Sequence, residues 1–278
     1  MKLVACQIQT PDTRSADERD AHVGRLATLV DRYLTENSGD LVVLPELSTI
    51  DYSEAAFQNL DVLAEDLNGP SVEQFASVAK SHGVTIAFGM PLRNGANICI
   101  SQVVIGSDGS VAGHYDKLHT AQFGDSMEAP YFARGDHLMV FQVDDVRIAP
   151  IICYDFRFPE LTRRLAFEQD VQVILHPVAF SKDSTFPSWH HFAVARAMEN
   201  QVFFLSLNRA GPRYGQSIFC PPWIDEARSP VKFGESEEIK TFDIDLSLLQ
   251  DARQEFSFRG DHLGGYGDLP VLGSARGS

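Results

Sequence analysis

Three apolar runs in this chain each end on a side chain capable of chemistry. Leu41-Val42-Val43-Leu44-Pro45 leads into Glu46, Val111–Asp116 into Lys117, and Val146–Ile152 into Cys153. A cysteine attacks as its thiolate, so it needs a nearby base or cation. A carboxylate can take the thiol proton and return it to an amine leaving group. An ammonium can stabilise a developing oxyanion beside a backbone N–H. Together the three supply what cysteine acyl transfer requires. Singly each has a plain alternative. A glutamate after a strand is ordinarily solvated, a lysine within Tyr115-Asp116-Lys117-Leu118-His119 is ordinarily a surface charge, and a free cysteine is most often a core residue.

The elements that must hold these groups are readable from pattern. Around Cys153 a β-branched run stops on the cysteine, polar and aromatic residues follow, and Pro159 opens a helix. That is a strand, a sharp turn and a helix, and it projects a side chain from the carboxyl end of a strand, where open α/β folds place their sites. Further strands are predicted at Leu3–Ile8, 40–46, Val84–Gly89, Ile98–Ile105, Leu138–Val143, Val171–His176, Val202–Asn208 and Ile239–Ile244. Helical spacing of Val23, Leu26, Ala27, Val30 and Leu34 predicts a helix over roughly 15–37, and Val72, Phe75, Ala76 and Ala79 mark another that ends at Gly83. Helices are also predicted across Trp189–Asn200 and Leu246–Arg253. Strands and helices alternate at both ends around a strand-rich middle, which predicts an α/β layered single domain over 1–272, followed by a flexible tail at 273–278.

The 278 residues can bury a core without disulfide or metal staples. A net charge of −15 argues against nucleic acid as a partner, since phosphate binding needs a basic face. Cys6, Cys99, Cys153 and Cys220 lack CxxC spacing, and most lie in apolar runs, the pattern of reduced thiols in a cytoplasmic protein. The opening apolar run is too short for a signal peptide, and no run has the length of a membrane-spanning helix. Nine histidines without HxH, HExxH or Cys-His grouping point to no metal site.

Leu44-Pro45-Glu46, Asp116-Lys117-Leu118-His119 and Cys153-Tyr154-Asp155-Phe156-Arg157-Phe158-Pro159-Glu160, in that order, resemble the carbon–nitrogen hydrolase (nitrilase) superfamily. The likeness runs over nearly the whole chain, and Ala195–Gln201 and Gly215-Gln216-Ser217 take part in it. It implies a four-layer α-β-β-α sandwich, homodimers that join two sandwiches, and a catalytic triad of Glu46, Lys117 and Cys153. It also implies a second glutamate, at Glu128, which orients the substrate or the lysine amine. The implied reaction hydrolyses a small linear amide to carboxylate and ammonia through a thioester, without metal or organic cofactor. The same resemblance implies that Lys117 and the Tyr154 N–H hold the oxyanion. Cys153-Tyr154-Asp155 followed by Arg157 resembles the ω-amidase and small-amide branch, while nitrilases and N-carbamoyl-amine hydrolases share the triad. A non-catalytic member that binds partners is the reading from a different class.

Other residues have rival roles. His119 and His176 lie near strand ends and would serve a Cys-His hydrolase, although one such histidine is ordinarily structural. Phe180, Phe186 and Trp189 are candidates for a pocket wall or for core packing, and Arg196 for an ion pair with a buried carboxylate. Arg157 or Arg209 offers a cation for a substrate carboxylate, and Asp155 a means of holding the turn. The first expectation is chemical: limiting iodoacetamide, followed by peptide mapping, labels Cys153 before Cys6, Cys99 or Cys220. Labelling of another cysteine in parallel with loss of activity would remove Cys153 from its role.

Overall fold

The computed structural model describes residues 1–267 and 269–273, so the tail expected at 273–278 lies, from Ser274 onward, outside the described residues. Strands β1 (Lys2–Gln7), β2 (Leu41–Val43), β3 (Thr85–Asn94), β4 (Asn97–Ile105) and β5 (Val111–Asp116) belong to one sheet. β6 (Phe141–Val143), β7 (Val146–Pro150), β8 (Val173–Pro177), β9 (Phe203–Leu207), β10 (Ile218–Cys220) and β11 (Val231–Lys232) form the other. β12 (Glu238–Asp243) returns to the first sheet, beside β1. The orders are β12-β1-β2-β3-β4-β5 and β11-β10-β9-β8-β7-β6. β1, β2 and β3 run parallel, as do β7, β8 and β9, and antiparallel strands flank both groups.

Among the described residues there are eight α-helices: α1 (Ala16–Glu36), α2 (Glu54–Phe57), α3 (Leu60–Leu63), α4 (Pro70–His82), α5 (Pro159–Glu168), α6 (Phe186–Asn200), α7 (Leu246–Glu255) and α8 (Phe258–Asp261). The sequence supplies their ends. Ser15 caps α1 by accepting the Glu18 N–H at 3.3 Å. Pro70 opens α4, and Gly83, at φ 66°, closes it in the left-handed conformation that glycine adopts without strain.

The two-residue alternation of the strands sorts the core into layers. Leu3, Ala5, Val43 and Ala87 face Ile148, Leu175, Phe203 and Leu205 between the sheets. Val4, Cys6, Val42 and Phe88 face outward against Val23, Val30 and Phe75 of α1 and α4. Ile174 and Phe204 face outward on the other side, against Leu165 of α5 and Trp189, Ala193 and Ala197 of α6. The result is an α-β-β-α sandwich. With both faces of each sheet covered, the central strands read as continuous apolar runs.

Some boundaries differ from expectation. β3 continues five residues beyond Gly89, because β4 pairs with it as far as Asn94, while β2 on the other side stops at Ala87 and only Glu65 bridges to Leu92 beyond it. Pro91, which has no N–H to give, is therefore tolerated while it pairs with Ile100. The strand expected from Leu138 begins at Phe141, where pairing with β7 begins. The short helices α2, α3 and α8 carry too few residues for a helical period to show. Among the described residues, no helix is long and apolar enough to cross a membrane.

Gly89 is where β3 meets the segment after β2. A Cβ there would lie 2.4 Å from the Pro45 carbonyl oxygen and 2.5 Å from the Leu47 nitrogen. Gly89→Ala must therefore push away the turn that bears Glu46. We expect a stability loss of about 1–3 kcal/mol, measured by urea denaturation, with a disproportionate loss of turnover. An unchanged midpoint and rate would show that the turn has room to move.

Candidate active site

Glu46 stands just beyond β2. The Leu44 N–H still donates to the Ala87 carbonyl at 2.8 Å, after which Pro45 ends the ladder. Leu47 takes a positive φ of 46°, which is unusual for a branched side chain and folds the backbone back sharply. Arg209, just after β9, holds this turn from the opposite sheet. Its guanidinium donates to the carbonyls of Glu46 at 3.2 Å, Leu47 at 2.5 Å and Ile50 at 2.7 Å. Arg209 is fully buried and committed to backbone, so it is not the substrate cation considered above.

Lys117 leaves the end of β5, and its ammonium is fully buried. Nζ donates to Glu46 Oε1 at 2.7 Å and to Glu128 Oε1 at 2.6 Å. Glu128 also accepts from the Tyr52 hydroxyl at 2.7 Å and, through Oε2, from the Ala121 N–H at 2.8 Å. Glu46 Oε2 accepts from the Ala179 N–H at 2.8 Å. Two carboxylates thus share one ammonium in a volume that excludes solvent. Burial disfavours the charge on Lys117, yet the charges of Glu128 and Glu46 outweigh it and hold the amine protonated well above its ordinary range. The pKa of Glu46 is raised as well: burial raises it most, the positive charge of Lys117 opposes the rise, and Glu128 adds to it. Glu46 is accordingly a stronger proton acceptor than a solvated glutamate.

Cys153 begins a 3-10 turn, Cys153–Arg157, directly after β7, and its own φ is 45°. Such strain persists only where neighbours over-determine it. The Cys153 carbonyl lies 2.8 Å from His176 Nε2, and His176 Nδ1 lies 2.8 Å from the Ser206 hydroxyl, which in turn accepts from Trp189 Nε1 at 2.8 Å. A carbonyl only accepts, so Nε2 carries the proton and Nδ1 accepts from Ser206. Burial lowers the His176 pKa to about 3, which keeps this neutral tautomer in place. Asp155 fixes the other side of the turn. Its carboxylate accepts from the Ile152 N–H at 3.1 Å, the Tyr115 hydroxyl at 2.8 Å and the His119 N–H at 2.9 Å, and pairs with His119 Nδ1 at 2.7 Å. His176 is thus committed to the Cys153 carbonyl and His119 to the Asp155 carboxylate, which removes the Cys-His arrangement as a reading of this site.

The thiol itself is raised well above its usual pKa, first by burial and then by the charge of Glu46, with Lys117 opposing. A third negative charge beside two carboxylates and one ammonium is unfavourable, so the resting group is a thiol. Cys6 and Cys220 are pushed up to about 12 and Cys99 to about 11, each chiefly by burial. Cys153 is the cysteine that lines a cavity of about 260 Å³. Tyr52, Tyr154, Arg157 and Phe180 share its wall. Trp189 does not: it is fully buried and stacks behind Phe180, with ring centroids 5.4 Å apart, so its place is in the core. Phe186 packs edge-on against Trp189 and is likewise absent from the wall. Arg196 pairs with the partly exposed Glu199 at 2.7 Å and donates to the Phe156 carbonyl at 2.8 Å, rather than meeting a buried carboxylate.

The sequence did not point to Tyr52 or Ala179, and it pointed to Arg209 in a different role. Two of them act through backbone groups and Tyr52 lies in an irregular segment, so none carries a local signal of its role. Gly89 did carry one, as a glycine inside an apolar strand.

The sandwich fold and the sequence that forms it have clear counterparts. Residues 2–254 match the carbon–nitrogen hydrolase family, and the chain belongs to that family. Among its relatives, the 2-oxoglutaramate amidase of Bacillus subtilis (strain 168) is 30% identical over 224 residues, covering 77% of this chain and 82% of that protein. The omega-amidase NIT2 of Xenopus tropicalis is 27% identical over 236 residues, covering 81% and 83%. The crystal structure of XC1258 from Xanthomonas campestris, a CN-hydrolase superfamily protein with an arsenic adduct in its active site, superposes with a TM-score of 0.79 at 26% identity, covering 98% of this chain and 99% of that one.

Lys117→Ala leaves Glu46 and Glu128 buried with no counter-ion. We expect a stability loss of about 3–5 kcal/mol, the usual consequence of stripping one partner from a buried ion pair. Turnover of an amide should also fall at least about a hundredfold. Thermal melts beside rate measurements check both effects, and near-normal turnover in a folded variant would refute the assignment.

Proposed function

We propose that the chain hydrolyses a small linear primary amide through a thioester on Cys153, with Glu46 as base and acid, Lys117 as oxyanion donor and Glu128 as the group that holds Lys117. The observation that carries this reading is the fully buried Glu46–Lys117–Glu128 cluster, whose charges act directly on the one thiol lining the cavity.

The steps follow from the protonation states. Glu46, made more basic by burial, takes the Cys153 proton as the sulfur attacks the amide carbon. An ammonium has three N–H bonds, and Lys117 commits two of them to carboxylates; the third, with the Tyr154 N–H, stabilises the oxyanion. Glu46 returns the proton to the departing nitrogen, and ammonia leaves. Water then attacks the thioester while Glu46 takes its proton, and the thiol is regenerated as the acid departs. No step calls for a metal or organic cofactor.

Arg157 supports a narrower substrate class. It lines the cavity, lies 4.3 Å over the Phe192 ring, and donates to Ser188 Oγ at 3.2 Å. Among the described ion pairs it has no carboxylate partner, so an ω-amido carboxylate would supply one. The amidase and omega-amidase names of the relatives agree with that choice.

The test is ammonia release from a matched set, comprising a neutral aliphatic amide, an ω-amido carboxylate, an N-carbamoyl amine and the corresponding nitrile. Intact-protein mass spectrometry during turnover should show an acyl adduct, absent from Cys153→Ser. We expect the ω-amido carboxylate to react fastest. Arg157→Met should raise its KM about tenfold or more and leave the neutral amide unchanged. If the nitrile outpaces both amides, the amidase reading fails.

A further inference from the structure

The alternation that turns Tyr115 and Lys117 inward turns His114 and Asp116 to the opposite face of β5. Segment 133–138 crosses that face closely. The Gly135 N–H donates to the Lys117 carbonyl at 2.9 Å, and a Cβ at Gly135 would lie 2.2 Å from the Asp116 carbonyl oxygen. This approach sets the His137 ring edge-on to that of His114, with centroids 5.3 Å apart. One ligand atom each from His114, Asp116 and His137 lies within 4.8 Å of the other two, and His114 Nε2 is 3.6 Å from Asp116 Oδ2.

We propose that His114, Asp116 and His137 bind a divalent transition-metal ion of the zinc class, which clamps segment 133–138 to β5 back to back with Lys117. Two imidazole nitrogens and one carboxylate oxygen suit zinc, whereas calcium and magnesium select oxygen sets. The surrounding hydrogen bonds are those of a supported site. The Ser101 hydroxyl donates to Asp116 Oδ1, which leaves Oδ2 for the ion. His137 Nε2 is 3.0 Å from the His114 carbonyl oxygen and Nδ1 is 3.1 Å from Asp136 Oδ1. Whichever nitrogen takes the ion, the other already faces an acceptor of the kind that orients ligating histidines. Zinc–nitrogen bonds of about 2.0–2.1 Å require the ligand atoms to draw closer. The imidazoles can do so, because the His114 and His137 side chains are 23% and 38% exposed, and that opening also admits water as a further ligand. Histidine spacing alone does not reveal this group, since Asp116 interrupts the pattern and His137 comes from 23 residues beyond His114.

Two thiols are rival ligands, Cys153 and Cys99, which borders Asp116, so the experiment uses Cys153→Ser protein without a polyhistidine extension, treated with chelator and desalted, in which a thiolate band reports Cys99. Calorimetric titration with zinc chloride should show one ion per chain and a higher melting temperature with zinc, as binding to the folded state requires. His114→Ala and, separately, the milder His137→Gln should each weaken binding about tenfold or more. Cobalt(II) in place of zinc should give visible bands without a thiolate charge-transfer band. Unchanged affinity in a folded His137→Gln variant, no binding heat, or a thiolate band would each overturn the assignment.

Discussion

The site depends on one buried ammonium shared by two carboxylates. Lys117 holds its proton well above the ordinary lysine range while Glu46 and Glu128 both touch it, and without it two buried carboxylates would lack a counter-ion. The remaining hydrogen bonds, from Tyr52, Ala121 and Ala179, occupy the carboxylate lone pairs that Lys117 does not reach. A buried ion cluster is stable only when its spare valences are filled in this way. The arrangement also favours the neutral thiol at Cys153, since a thiolate there would lie beside two carboxylates.

Backbone strain is placed at two ends of this cluster. Leu47 and Cys153 both hold left-handed conformations, and each is restrained by groups from outside its own segment. Arg209 gathers three carbonyls around the first, while His176 and Asp155 hold the second. Because Asp155 also binds Tyr115 and the His119 N–H, the strand that delivers Lys117 and the turn that delivers Cys153 are tied through one carboxylate.

Much of this was legible in the sequence, and the limits have physical causes. The strands that deliver Glu46, Lys117 and Cys153 declare themselves because both sheet faces are buried, which makes the runs apolar and abrupt. Glu128 could be placed by its position in a family pattern, although its segment has no regular structure of its own. Arg209 was misjudged because the sequence reports a charge but not the carbonyls that consume it. Trp189 was ambiguous because a pocket wall and the layer behind it have the same composition; only the stacking order against Phe180 separates them. The His114–Asp116–His137 group depends on a close crossing at Gly135, an event between segments that no local period encodes.

The two sheets do not contribute alike to the site. Glu46 and Lys117 come from β2 and β5 of the first, and Cys153 comes from β7 of the second. The separation of Glu46 from Cys153 is therefore a property of the layer between the sheets, where Val43 and Ala87 meet Ile148 and Leu175. The interior acts as a caliper whose opening is set by the bulk of those side chains. Interiors this dense do not compress to absorb a methylene. Evolution can then retune reactivity by exchanging apolar residues that never touch a substrate, and natural variants with altered rates belong as much in that hidden layer as around the cavity.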